Sequence, residues 1–114
     1  MATTAENDTI RQAAGDLHTL RDFLRYAISR FEAAELSYGH GTTNATDEAA
    51  YLILEKLRLP IDQLDPFLDA RLLSSERLEL AKLIEQRVTT RKPAAYLLKK
   101  SYICLLYTSP SPRD

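Results

Sequence analysis

One cysteine, Cys104, is all the thiol chemistry the chain has. An intrachain disulfide and any multi-cysteine zinc site are thereby excluded, and a reducing compartment suits the composition. Glycine and proline are scarce before the last residues, as a helical domain requires. No apolar run approaches the roughly 20 residues of a membrane span. The opening MATTAENDT has no apolar stretch of the kind that marks a secretory leader, so the expected location is the cytoplasm. An excess of either charge is also missing: 15 basic residues face 16 acidic ones, for a net charge of -1. A strongly basic nucleic-acid binder is not indicated, although a local basic patch stays open. The 114 residues suffice for one small domain with a modest core.

What is present is helical periodicity. In Asp16–Leu36 the residues Leu17, Leu20, Leu24, Ala27, Phe31 and Ala34 recur at steps of three and four, the spacing of one helix face. Phe23 and Ile28 widen that face, while Arg21, Asp22, Arg25, Arg30 and Glu32 fall largely off it. Asp16 is the candidate N-cap, since its carboxylate can accept the unpaired amides of a first turn. Before it, a short helix from Asp8 or Thr9 is expected to break at Gly15. After it, Gly39 and Gly41 offer a sharp turn.

A second helix is expected from Asn44–Thr46, burying Ala49, Ala50, Ile53, Leu54 and Leu57 and stopping at Leu59-Pro60. Asp47 and Glu48 suit the positive end of its dipole. They do not suit a catalytic pair, because neighbouring residues on a helix point about 100° apart. Ile61–Ala70 reads as short turns around Pro66, with Phe67 and Leu68 packing beneath the helices. Its Asp62, Asp65 and Asp69 lack the glycine and terminal glutamate of a calcium hand and read as solvated acids. A third helix, Glu76–Arg91 with Ser74 or Ser75 as cap, carries Leu80, Ala81, Ile84 and Val88 inward and Leu83 alongside. Pro93 ends it. Ala94–Ile103 then reads as a strand, from Tyr96, Leu97, Leu98, Tyr102 and Ile103. The fold class is therefore all-α: a small helical bundle cored by Leu20, Leu24, Phe31, Ile53, Leu57, Leu80 and Ile84.

Cys104–Asp114 shares neither composition nor period with the rest. Cys104–Ser109 back-translates to the transposon end sequence used in making sequencing libraries, and Pro110–Asp114 to the adapter that follows it. The tail is read as adapter translation, which leaves Cys104 no biological role. The rival readings are a Ser-Pro phosphorylation tail and a disordered linker.

Several segments resemble one family. LRDFLRYAISRF at Leu20–Phe31, SYGHGTTNATDEA at Ser37–Ala49, LDARL at Leu68–Leu72 and RVTTRKPAAYL at Arg87–Leu97 are similar to the N-terminal domain of the release-factor glutamine methyltransferase family. The Tyr-Gly-His-Gly loop points to its branch acting on ribosomal protein three of the large subunit. That resemblance implies a two-domain enzyme whose helical domain precedes a hairpin linker and a Rossmann-like domain binding S-adenosylmethionine. It implies methyl transfer to a glutamine side-chain nitrogen. The family's Gly-rich cofactor loop and Asn-Pro-Pro-Tyr motif do not occur in this sequence, and Gly39-His40-Gly41 follows a helix rather than a strand. No catalytic, cofactor-binding or metal-ligating residue is assigned, and the fragment by itself is expected to be inactive.

The implied organisation is an extension at 1–15, a helical substrate-recognition domain at 16–93, the start of the linker hairpin at 94–103 and the adapter-like tail at 104–114. The candidate substrate contacts are Tyr38 and His40 on the glycine-hinged loop, with Arg87, Arg91 and Lys92 at a basic helix end. Ribosomal RNA or an acidic patch is a candidate target for the basic end. Dipole compensation is the competing reading of those three cations. For His40, the competing reading is an exposed loop histidine, and neither a base nor a metal site is favoured, since His18 lies a helix away. A free-standing helical interaction module and the release-factor branch are the alternative functions.

Overall fold

The computed structural model describes residues 4–38 and 44–105, with side chains described for 7–38 and 44–99. Among the described residues five α-helices follow one another: α1 (Thr4–Asp16), α2 (Leu20–Ala34), α3 (Ala45–Leu57), α4 (Ser74–Thr90) and α5 (Ala94–Leu105), with a 3₁₀ turn at Asp65–Phe67. Among the described residues there is no strand, only an isolated bridge between Thr19 and Arg71. The all-α class is as expected. His40, Gly39 and Gly41 lie outside the described residues, as does 106–114 of the tail.

The central helix starts later than its apolar spacing suggested, at Leu20. Thr19 caps it: the Asp22 amide donates to the Thr19 hydroxyl at 3.2 Å, and the Asp22 carboxylate accepts the amides of Thr19 at 3.1 Å and His18 at 3.0 Å. This reciprocal box satisfies orphan donors that Asp16 would have had to reach alone. Asp16 instead ends α1, which begins at Thr4 and runs through Gly15. Gly15 is an exposed helix residue with nothing within 4 Å of the place a Cβ would take, so its only cost is entropic.

The buried face of α2 is Leu20, Phe23, Ala27 and Phe31. Phe23, expected at the flank, is fully buried, whereas Leu17 and Leu24 are half-buried. Helix α2 packs on both α3 and α4, and the direction of that junction selects Phe23 over Leu24. Helix α3 meets α2, α4 and α5, so its buried surface wraps around Ala49, Leu52, Ile53 and Leu54. Asn44 caps it by accepting the Asp47 amide at 2.8 Å.

Helices α2 and α3 both end without glycine. Glu35 and Arg58 take left-handed φ of 53° and 61°. The next amide in each case reaches back into the helix, Leu36 to Phe31 and Leu59 to Leu54. Leu36 is buried behind its turn and Leu59 half-buried, the apolar contact that accompanies this kind of helix end. The chain then runs back across the start of α2. The Leu20 and Arg21 amides donate to the Ala70 and Leu68 carbonyls, and the Leu72 amide donates to the His18 carbonyl. Neither Ser74 nor Ser75 caps α4; both are inside it, and the Glu76 carboxylate accepts the Leu73 amide at 2.9 Å.

One element changes type. Ala94–Leu105 is a helix, not the strand expected at Ala94–Ile103. Pro93 stands just ahead of its first turn, where its missing N–H is harmless, and Ala94, Leu97 and Leu98 recur at three and four and are all buried. The aromatic and β-branched residues that argued for a strand are outvoted by that buried face, an instance of packing overriding propensity. At the other end, α1 packs on α4, and Ala13 is buried in the same core. Both α1 and α5 thus pack against the helices between them. Arg77 ties α1 down by donating to the Ala14 carbonyl at 2.8 Å and the Leu72 carbonyl at 3.1 Å.

Phe23→Ala should destabilise the domain by about 3–5 kcal/mol, and Leu24→Ala by clearly less, read from urea unfolding midpoints. A second expectation concerns pH. The amides of His18 and Thr19 hold the Asp22 carboxyl below the usual carboxylate range, His18 contributing most. A depressed folded pKa stabilises fully above the unfolded value of about 3.9 and is lost as pH falls through the folded value. Asp22→Asn should therefore lower the thermal midpoint at pH 7, and the gap to wild type should close as the pH drops below about 4.

Candidate functional site

Four of the residues singled out from the sequence, Tyr38, Arg87, Arg91 and Lys92, lie where α2 and α4 end, and His40 is outside the described residues. Arg87 sits on the same face of α4 as Leu80 and Ile84, and that face is inward. It is 2% exposed, and Glu48, from the first turn of α3, is 4% exposed. The two form a buried ion pair, Arg87 Nε donating to Glu48 Oε2. Arg87 Nη2 donates to the Ser37 carbonyl at 2.8 Å. The guanidinium carbon lies 5.7 Å from the centre of the Tyr38 ring and 6.0 Å from that of Phe31, within reach of a cation–π attraction. Glu48 also lies 3.3 Å from the Ala94 amide.

Arg87 is therefore placed beneath the surface rather than on it. Glu48 is more than a first-turn acid facing solvent, because it neutralises that guanidinium. Arg91 is exposed, and it complements the end of a neighbouring helix rather than its own: Nη2 donates to the Ala34 and Glu35 carbonyls at 3.0 and 3.1 Å. These are among the last carbonyls of α2, which have no partner within the helix. Lys92 is exposed, with its ammonium 5.1 Å from the centre of the Tyr96 ring. Tyr38 is half-buried. Burial raises its phenol pKa, Glu32 and Glu48 push the same way, and Arg87 opposes them. The structure thus brings Tyr38, Arg87 and Arg91 together around the end of α2, with Lys92 on the adjoining turn.

The buried pair was missed in the sequence, yet a signal was there. Arg87 continues the Leu80–Ile84 spacing, and Glu48 lies on the apolar face with Ala45, Ala49 and Leu52. One cation and one anion each interrupting an inward stripe is a pattern that only mutual pairing makes tolerable. A second polar bridge, Arg30 with the buried Glu85, joins α2 to α4.

Among the described residues, no group of three or more His, Cys, Asp or Glu is placed to hold a metal ion, and no helix is long and apolar enough to cross a membrane. The depression between α3 and α4 is lined by Lys56, Leu57, Arg58, Ser75, Glu76 and Glu79, a charged rim without a glycine.

Comparison with known proteins bears on this helical unit. It is 57% identical over 88 residues to the ribosomal protein uL3 glutamine methyltransferase of Bordetella pertussis, covering 77% of this chain and 30% of that protein. The protein of the same name from Neisseria meningitidis serogroup B is 55% identical over 91 residues, 80% of this chain and 30% of its own. Over that stretch the chain is homologous to uL3 glutamine methyltransferases. The Burkholderia pseudomallei uL3 glutamine methyltransferase adds 52% identity over 85 residues. The chain spans about 30% of the length of these relatives. No family model and no solved structure matches it.

The geometry separates the three cations by experiment. Arg87→Ala strands a buried carboxylate and should cost about 3–5 kcal/mol of stability. Arg91→Ala removes exposed bonds to backbone carbonyls and should cost about 0.5–1.5 kcal/mol. Lys92→Ala should stay within about 0.5 kcal/mol. Chemical denaturation of the three variants checks the order.

Proposed function

We propose that this chain is the helical, substrate-recognising portion of an S-adenosylmethionine-dependent protein glutamine methyltransferase that acts on ribosomal protein uL3 in the cytoplasm. The observation that carries the reading is identity of 52–57% with uL3 glutamine methyltransferases over most of the chain. The share of those relatives that the chain spans leaves cofactor binding and methyl transfer to their remaining length. The 114-residue chain alone binds no S-adenosylmethionine in this reading, and a calorimetric titration giving stoichiometric heat would overturn it.

The contact surface we propose is Tyr38 and His40 with Arg91 and Lys92. Arg87 supports it from beneath. Tyr38 offers a half-buried ring backed by the buried Arg87 guanidinium, and the exposed Arg91 and Lys92 would face an acidic protein surface or a ribosomal RNA phosphate with salt-sensitive energy. The competing reading, a free-standing interaction module, has the same surface but no methyl transfer.

The test grafts residues 4–103 of this chain in place of the matching stretch of the Bordetella pertussis enzyme. Methylation of uL3 is then measured with Tyr38 and His40 both changed to Ala, and separately with Arg91 and Lys92 both changed to Ala. Recognition predicts a fall in kcat/KM of about tenfold carried by KM, with S-adenosylmethionine affinity unchanged. Unchanged kinetics in both double variants would remove this surface from substrate selection, and an inactive graft with intact cofactor binding would favour the interaction module.

A further inference from the structure

Glu48 Oε2 is approached from two elements. Arg87 Nε reaches it from α4, and the Ala94 amide, first in α5, lies 3.3 Å away. The same guanidinium reaches the opposite connection, through the Ser37 carbonyl at 2.8 Å and the face of Tyr38. Ala94 N–H is one of the donors that a helix start leaves unpaired, and the Ser37 carbonyl lies beyond the end of α2. Neither is satisfied by helical bonding, and the pair reaches both. Charge-assisted bonds in a water-poor interior are short and strongly directional.

We infer that Glu48 and Arg87 form a rigid joint that transmits displacement at Tyr38 to the start of α5. A partner that shifts the Tyr38 ring shifts the guanidinium stacked on it. The guanidinium carries the carboxylate, and the carboxylate carries the Ala94 amide. Helix α5 thereby reports on the occupancy of a surface at the far end of α2. The inference goes beyond substrate recognition and rests on this chain's geometry alone, so its outcome is independent of the methylation assays.

The test is amide hydrogen exchange by NMR on the 114-residue chain, with Tyr38→Ala introduced into wild type and into a Glu48→Met/Arg87→Met background. In wild type, Tyr38→Ala should speed exchange at Ala94 about tenfold, the size of a coupling within one hydrogen-bond network, while Ile53 in the centre of α3 stays unchanged. In the double-Met background the same change should alter Ala94 less than about twofold relative to its own parent. If that background does not fold, Glu48→Gln replaces it, which keeps an acceptor but removes the charge, and the response at Ala94 should again shrink. An unmoved Ala94 in wild type would overturn the joint. So would equal responses in the two backgrounds, or equal acceleration at Ile53 and Ala94, which is global loosening.

Discussion

A guanidinium and a carboxylate buried together must satisfy each other, and much of this domain is arranged so that Arg87 and Glu48 can. Removing each ion from water costs several kcal/mol, and Coulomb attraction repays that only with good geometry and further hydrogen bonds. The further partners come from elsewhere in the chain: the Ser37 carbonyl, the faces of Phe31 and Tyr38, and the Ala94 amide. Helices α2, α3, α4 and α5 each contribute a contact or lead directly into one. The pair thus fixes how the end of α2 and the start of α5 sit against α3 and α4, beside a hydrophobic core of Leu, Ile, Phe and Ala.

Much of this architecture could be read from residue spacing. Helices α2, α3 and α4 declare themselves by three-and-four periodicity, and Asn44 by its place ahead of Asp47. The errors have particular causes. The start of α2 was placed at Asp16, but Thr19 is the cap, because Asp22 three residues on completes a reciprocal box with it. Helix α5 was obscured because Tyr96, Tyr102 and Ile103 favour strands, while the deciding fact, burial of Ala94, Leu97 and Leu98 against α3 and α4, is tertiary. The turns that follow α2 and α3 were assigned to Gly39 and Gly41 and to Leu59-Pro60, but left-handed Glu35 and Arg58 close the helices. Side-chain chemistry does not advertise a non-glycine residue in that conformation.

The candidate site was half visible. A basic helix end stands out in any charge count, but the count does not say which cations face water. Arg87 faces inward because its helical position coincides with Leu80 and Ile84, Arg91 because of its position reaches the last carbonyls of α2, and Lys92 remains on the surface over Tyr96. Three adjacent positive charges thus do three different things: neutralise a buried acid, complete a neighbouring helix and present a cation. Of the three, the inner arginine is tied to the stability of the fold, and the outer two keep exposed side chains.

The central claim is that the buried pair interacts strongly and does not merely sit in contact. The direct measurement is a double-mutant cycle on urea unfolding of the 114-residue chain, using Glu48→Gln, Arg87→Met and the two combined. A coupling energy of at least about 1.5 kcal/mol, with the double variant more stable than the sum of the single losses implies, is the predicted result. Single losses that add to within about 0.5 kcal/mol would contradict the account, since independent side chains behave that way.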